Sequence, residues 1–164
     1  MTRFRTSLAL LAVAAVAVAA VSTASAAPRQ QPNIVQTAVG AGQLKTLAAL
    51  LKQAGLAGAL QGKGPYTVFA PTDAAFAKVP KSTLNALAKN PAKLKAVLLY
   101  HVAKGKVTST QVVKLRSVKT LNGQSAPIRI NGGKVFAAGA QVVKPDIAAS
   151  NGVIHVVNKV MIPR

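Results

Sequence analysis

The chain lacks cysteine, tryptophan and glutamate, and its only acidic residues are Asp73 and Asp146. Without cysteine it has neither a disulfide framework nor a thiol nucleophile, so stability must come from burial and hydrogen bonding. Paired-carboxylate catalysis would have to use the two aspartates themselves. The chain also has no Gly-x-Ser-x-Gly elbow and no phosphate-binding loop. These absences predict a binding protein and not an enzyme, with no catalytic residue and no cofactor.

The N-terminal segment, over positions 1–26, has the three parts of a secretory signal peptide. Two arginines form a basic start, positions 8–21 are an uninterrupted apolar run, and positions 24–26 are a small-residue cleavage site. The apolar run is shorter than the roughly 20 residues that a bilayer-spanning helix needs, which argues against a membrane anchor. We therefore expect cleavage after Ala26 and a secreted or periplasmic protein without a transmembrane segment.

The remaining chain is strongly basic. Cleavage would leave positions 27–164, which we divide into a short polar leader over 27–32 and a single domain over 33–164. This part has 19 basic side chains against two acidic ones, a formal charge of +17. Such an excess predicts attraction to polyanions. The basic residues are spread singly among apolar ones, and aromatic residues are few, so we expect a solvated basic surface and no specific nucleic-acid recognition.

The pattern of the first half favours helices, and that of the second half favours strands. Helix N-cap residues precede four apolar stretches: Asn33, Thr72 or Asp73, Ser82 and Asn90. Residues 66–70 read as a buried strand. After Tyr100, Gly-containing turns at 122–123, 131–133 and 151–152 separate short apolar runs, as is typical of hairpins. The sequence therefore predicts an α+β fold with mostly antiparallel strands.

Three segments carry a family resemblance: TVFAPTDAAF at residues 67–76, LLYHV at 98–102 and NGVIHVVNKVMIP at 151–163. Together, in this order and spacing, they resemble the fasciclin domain, also called the FAS1 domain. The resemblance extends over residues 33–163. It implies a wedge of two mostly antiparallel β-sheets packed with several short helices, and a class of secreted or surface-attached adhesion and matrix proteins.

The resemblance also implies candidate partner-binding residues. In animal relatives a Tyr-His pair and an Asp-Ile pair are associated with integrin binding, and the matching positions here are Tyr100, His101, Asp146 and Ile147. The chain departs from the family pattern in having no acid before Pro145, and it has Gln43 and Asn158 where many relatives are acidic. The family therefore does not explain the excess of positive charge.

Several polar residues suit a structural role. We interpret Thr72 and Asp73 as helix caps, Asn151 and Gly152 as a hairpin turn, and the stretch around Asp146 as a turn-like start to the last hairpin. His101 and His155 follow or lie within apolar segments, so we expect half-buried histidines that are hydrogen-bonded and no metal site. We further hypothesise that His101 bonds Asp73 or the backbone near it.

Three functional hypotheses remain open. The first is an exported, monomeric adhesion module whose basic surface attaches to an anionic polysaccharide or another cell-envelope or matrix component. The second treats the charge as an adaptation to the environment and assigns binding to an unidentified protein partner. The third is a carrier for a lipid or small ligand that uses an apolar cleft.

Overall fold

The computed structural model describes residues 31–163, so the predicted signal peptide lies outside the described residues. The elements follow one another in this order: α1 (Ile34–Gly40), α2 (Lys45–Gln53), α3 (Ala57–Leu60), β1 (Tyr66–Pro71), α4 (Asp73–Ala77), α5 (Lys81–Lys89), α6 (Pro91–Tyr100), β2 (Val102–Lys104), α7 (Ser109–Val112), β3 (Ser117–Lys119), β4 (Ser125–Asn131), β5 (Lys134–Ala137), β6 (Ala140–Ala149) and β7 (Gly152–Val157). The α+β class predicted from the sequence is confirmed.

The seven described strands belong to one mixed sheet with the order β2-β1-β7-β6-β5-β4-β3. The neighbouring pairs are antiparallel except β1 and β7, which are parallel. The pairing register between β6 and β7 shifts twice, between Val142 and Ile147. The two sheets that the family resemblance implied are therefore joined into one through this irregular strand. An isolated antiparallel bridge joins Ala103, in the middle of β2, to Thr120, which follows β3. The sheet therefore curls until its two edges meet.

Local capping explains where several helices begin. Asn33 accepts a hydrogen bond from the Gln36 amide over 2.9 Å, and Asn90 accepts one from Lys93 over 3.2 Å, as the sequence predicted. The predicted cap at Ser82 is wrong, because α5 already begins at Lys81 behind Pro80. The short helix α7 was not predicted.

The buried apolar residues form two clusters on opposite faces of the sheet. The helix-side core packs α1, α2, α4 and α6 against β1 and β7, and Leu47, Leu98 and Ile154 are among its members. The strand-side core fills the curl of the sheet and includes Phe69, Ile128 and Val157. Successive residues of a strand point to opposite faces, so β7, which is buried along its whole length, contributes to both cores.

Candidate functional site

Tyr100 and His101 do not lie at the surface. Tyr100 is 6% exposed and packs in the strand-side core, and His101 is 1% exposed. Direct contact of either side chain with a partner, which the resemblance implied, is therefore incompatible with this fold. The expectation that His101 and His155 are half buried is also wrong, because His155 is likewise 1% exposed.

His101 joins the end of α6 to the C-terminal segment. Its Nδ1 lies 2.8 Å from the Val97 carbonyl oxygen, and its Nε2 accepts the Met161 backbone N–H over 2.9 Å. The ring is therefore neutral, with its proton on Nδ1. Burial lowers the pKa of His101 to about 4, against the opposing effect of the Val97 hydrogen bond. The hypothesised bond of this side chain to Asp73 or the backbone near it is wrong, because Val97 and Met161 occupy both ring nitrogens. The segments that contain Asp73 and His101 are joined instead by the His101 carbonyl oxygen, which accepts the Phe69 N–H over 2.8 Å.

Asp73 caps a helix to which it does not belong. Thr72 caps α4 by accepting the Ala75 amide over 3.1 Å, which leaves Asp73 as the first residue of that helix. The Asp73 carboxylate instead accepts the Thr46 amide over 2.9 Å in the first turn of α2, where Leu44 offers no side-chain cap. Burial acts to raise the pKa of Asp73, but hydrogen bonds from Thr46 and Lys45 outweigh it and lower this pKa.

Asp146 binds the first residue of α7, a helix whose own N-cap is Thr108 with a capping box to Gln111. Asp146 lies within β6 and not in a turn, with a φ of 55° that few non-glycine residues adopt. Its carboxylate accepts the Ser109 amide over 2.8 Å and also the Ser109 hydroxyl. The hydrogen bond from the Ser109 hydroxyl is the main reason that the pKa of Asp146 is lowered; burial opposes this, whereas the Ser109 amide and the electrostatic interaction with His155 reinforce it.

His155 connects Asp146 to the strand-side core. Its Nδ1 accepts the Asp146 backbone N–H over 3.3 Å, its Nε2 lies 2.7 Å from the Val107 carbonyl oxygen, and its ring stacks on Phe69 with centroids 5.6 Å apart. Ser109, His155 and Asp146 therefore lie together without forming a catalytic triad, since backbone groups occupy both ring nitrogens and the Ser109 hydroxyl binds the carboxylate directly.

Asn151 ties three segments together at the β6–β7 turn. Its Oδ1 accepts the Ile34 amide at the start of α1 over 3.0 Å, and its Nδ2 donates to the carbonyl oxygens of Leu60 and Gly62. A side chain at Gly152 would clash with the Tyr66 carbonyl oxygen, because β1 and β7 approach closely there. The fold therefore depends on the amide group of Asn151 and on the absence of a side chain at Gly152.

The four residues suggested by the family resemblance do not form a common surface. Asp146 is exposed, Ile147 is half-buried against the helix-side core, and the other two are buried. Within residues 31–163, no group of three or more histidines and aspartates lies close enough to hold a metal ion. None of the helices described there is long and apolar enough to cross a membrane.

The surface is dominated by positive charge. The described residues include seventeen lysines and arginines, and every one of them is exposed. The two carboxylates are already engaged by backbone donors at the starts of α2 and α7. The basic side chains therefore face solvent on a surface that has very little negative charge of its own.

Two of the cavities that the described residues form are relevant to binding. One, of about 200 Å³, lies beneath α5 and is almost entirely apolar, with Leu84, Leu87 and Leu94 among its lining residues. The other is a groove of about 390 Å³ beside the end of β7, where Phe136 and Gln141 meet Lys159. We call them the α5 cavity and the Phe136 groove.

These elements define an α+β domain built on a curled seven-stranded sheet. The model of the fasciclin domain family matches residues 42–163, so the chain belongs to the fasciclin domain family. The uncharacterized protein sll1735 of Synechocystis sp. is 42% identical over 132 residues, which cover 80% of this chain and 98% of that protein.

Two further similarities cover only part of longer proteins. The transforming growth factor-beta-induced protein ig-h3 of Sus scrofa is 33% identical over 120 residues, which are 73% of this chain but 18% of that protein. A solved FAS1 domain pair from the insect cell adhesion molecule fasciclin I superposes with a TM-score of 0.59 at 21% identity, over 74% of this chain and 46% of the other. This structural likeness supports the fold.

Proposed function

We propose that this protein is an exported adhesion module that attaches to anionic polymers of the cell envelope or extracellular matrix through its basic surface. Family membership supports a binding role, and one structural relative is a cell adhesion molecule by name. The observation that carries the anionic partner is the exposure of all seventeen described basic side chains while both acids are engaged by backbone donors at the starts of helices.

Export and the absence of catalysis belong to the same proposal. Positions 1–26 have the composition of a cleavable signal peptide, and a monomeric domain over 33–164 would act outside the cytoplasm. The Ser109–His155–Asp146 arrangement supports a structural role for those side chains, since both His155 nitrogens bond backbone groups and the Ser109 hydroxyl binds the carboxylate directly. No cofactor is part of the proposed function.

A salt series tests the anionic partner. The mature protein is titrated with an acidic polysaccharide, its neutral counterpart, anionic vesicles and DNA between about 50 and about 500 mM salt, over which screening shortens the reach of surface charges severalfold. We expect binding to the acidic polysaccharide that weakens steeply with salt, and preference over the other anions. Equal, weak binding to every anion would overturn the proposal and favour a protein partner, with the charge suited to the environment.

The α5 cavity supports a second candidate, an apolar ligand such as an acyl chain. None of the residues of α5 is fully buried, and Leu84 and Leu87 cover the cavity only partly. A helix that is anchored so weakly can move to admit a ligand. Native mass spectrometry of protein purified from its host would show a bound lipid if this candidate is right, whereas the mass of the polypeptide alone would contradict it.

A further inference from the structure

A row of four side chains crosses one face of the sheet. Arg129 in β4 lies directly opposite Phe136 in β5, and Phe136 lies opposite Gln141 in β6. Gln141 donates its backbone N–H to Asn158 Oδ1 over 3.1 Å and accepts the Asn158 N–H over 3.0 Å. Residues directly opposed in antiparallel strands project from the same face, so a guanidinium, an aromatic ring and two amides follow one another.

The Phe136 groove brings two more cations to this row. Lys78, which follows α4, and Lys159, which follows Asn158, line the groove together with Phe136, Gln141 and Asn158. Both lysines are exposed, whereas Phe136 is half-buried and so held in place by its neighbours. Neither aspartate lines the groove. It therefore combines one aromatic face, two amides and cations, with no carboxylate to repel an anion.

This combination matches the chemistry of a charged sugar. A pyranose ring has an apolar C–H face that stacks on an aromatic ring, hydroxyl groups that pair with amides, and, in acidic polysaccharides, a carboxylate or sulfate. Lysine suits such an anion because its compact ammonium group adapts to several geometries. A flat anionic bilayer would meet the exposed lysines but has no ring to place in a concave groove beside Phe136.

We propose that the Phe136 groove is a subsite for one sugar unit of an acidic polysaccharide. Phe136 is the stacking surface, Gln141 and Asn158 contact hydroxyl groups, and Lys78, Lys159 and Arg129 contact the acidic groups. This inference rests on the proposed function, since it gives the general attraction to anionic polymers a defined point of attachment. The remaining basic surface adds weaker contacts to neighbouring units of the same polymer.

The test measures binding of a galacturonic acid hexamer and of a neutral galactose hexamer to the mature protein. Phe136→Leu removes the aromatic face while keeping an apolar side chain, and Phe136→Tyr restores it. We expect Phe136→Leu to weaken binding of the acidic hexamer by about 3- to 10-fold with an unchanged salt dependence, and Phe136→Tyr to bind normally.

A matched pair of double variants separates the groove from the rest of the surface. Lys78→Gln with Lys159→Gln removes two charges from the groove, and Lys52→Gln with Lys89→Gln removes two from α2 and α5. We expect the groove pair to lose binding at least about tenfold more strongly than the control pair, and to show the shallower salt dependence. Unfolding midpoints of all variants check that they remain folded.

The outcomes distinguish this subsite from the proposed function. If the two lysine double variants bind the acidic hexamer equally well and Phe136→Leu binds it normally, the proposed subsite is wrong, although attachment to polyanions is not contradicted. If neither hexamer binds and longer acidic polymers also fail, the proposed function is wrong as well. Equal binding of both hexamers, or stronger binding of a DNA oligonucleotide, would contradict the proposal that the ligand is an acidic sugar. Should a variant unfold, NMR of the wild-type protein replaces it. We expect the acidic hexamer to shift the signals of residues 136, 141 and 158 but not those of 52 and 89, and the reverse result would contradict the subsite.

Discussion

The regions around the two histidines satisfy the hydrogen-bonding groups of a buried imidazole in different ways. Each ring is 1% exposed and has both nitrogens bonded to backbone groups. His101 carries its proton on Nδ1 and binds the amide of Met161, 60 residues farther along the chain. His155 has the opposite tautomer, stacks on Phe69 and sits next to the exposed Asp146. The comparison shows that a buried imidazole can link distant segments with or without a neighbouring acid.

The largest effect should come from replacing His101. His101→Ala leaves the buried Met161 N–H without an acceptor and opens a cavity, so we expect a loss of about 3 kcal/mol in the free energy of unfolding. Urea unfolding at pH 7 measures it. His101→Gln, which can supply an acceptor near the position of Nε2, is the control and should recover part of the loss. A loss below about 1 kcal/mol for His101→Ala would contradict the role assigned to this ring.

Acid should weaken the His101 region before it weakens the caps. The folded pKa of His101, about 4, lies below the value of 6.5 for a free histidine, so the unfolded chain binds the extra proton first. Stability is complete above pH 6.5 and falls as the pH drops toward 4, by roughly 3 kcal/mol.

Urea midpoints measured between pH 7 and pH 4 test this assignment. The midpoints of the wild type should fall across that range, and His101→Gln should flatten the dependence because it removes the titrating group. An equally steep dependence in His101→Gln would place the effect elsewhere in the molecule.

Asp146 is the main difference between the His155 region and the His101 region. Asp146→Ala removes the acceptor for the Ser109 amide and hydroxyl, and it places alanine, which rarely adopts left-handed backbone, at a φ of 55°, so we expect a loss of about 2 kcal/mol in the free energy of unfolding. Asp146→Gly relieves the backbone but still loses the hydrogen bonds from Ser109, and should cost about 1 kcal/mol.

Thermal melts at pH 7, with Ser109→Ala as the second arm of a double-mutant cycle, measure both costs. Additive losses for Asp146→Ala and Ser109→Ala would show that the two side chains do not act together. Because the pKa of Asp146 is lowered by the Ser109 hydroxyl, its contribution persists above the ordinary aspartate pKa and disappears as the pH falls through the folded pKa.

The smallest effect should come from the other acid. Asp73→Asn keeps an acceptor for the Thr46 amide but removes the charge near the start of α2, so we expect a loss of roughly 0.5 kcal/mol, against about 1 kcal/mol for Asp73→Ala. Thr72→Ala, which removes the local cap of α4, is the matched control at about 1 kcal/mol. Chemical denaturation at pH 7 tests this order of stability losses. An Asp73→Ala variant with the free energy of unfolding of the wild type would contradict the role of Asp73 as a cap of α2.

The features that the sequence predicted are those with local causes. Asn33 and Asn90 cap helices that start at the next residue, and glycine-containing turns at 122–123 and 131–133 fall between paired strands. A cap of this kind depends on a few neighbouring residues, and so does a turn. Such features are visible in a single sequence, as is the family resemblance carried by contiguous motifs.

The features that the sequence did not predict depend on residues that are distant in the chain. Asp73 caps a helix that begins much earlier, at Lys45, and the parallel pairing of β1 with β7 connects positions 66 and 152. Phe136 and Gln141 gain their place in the groove only through the register of three strands. Burial of His101 likewise depends on the C-terminal segment that covers it. No local pattern encodes these contacts.

The bridge between Ala103 and Thr120 affects how the domain meets other proteins. An open sheet exposes a row of free backbone donors and acceptors at each edge, which invites strand addition and fibril growth. Here the outermost strands, β2 and β3, are short and turn toward one another. The sheet edges therefore offer few free backbone donors and acceptors to a second copy, and contacts between copies would be made by basic side chains that repel one another.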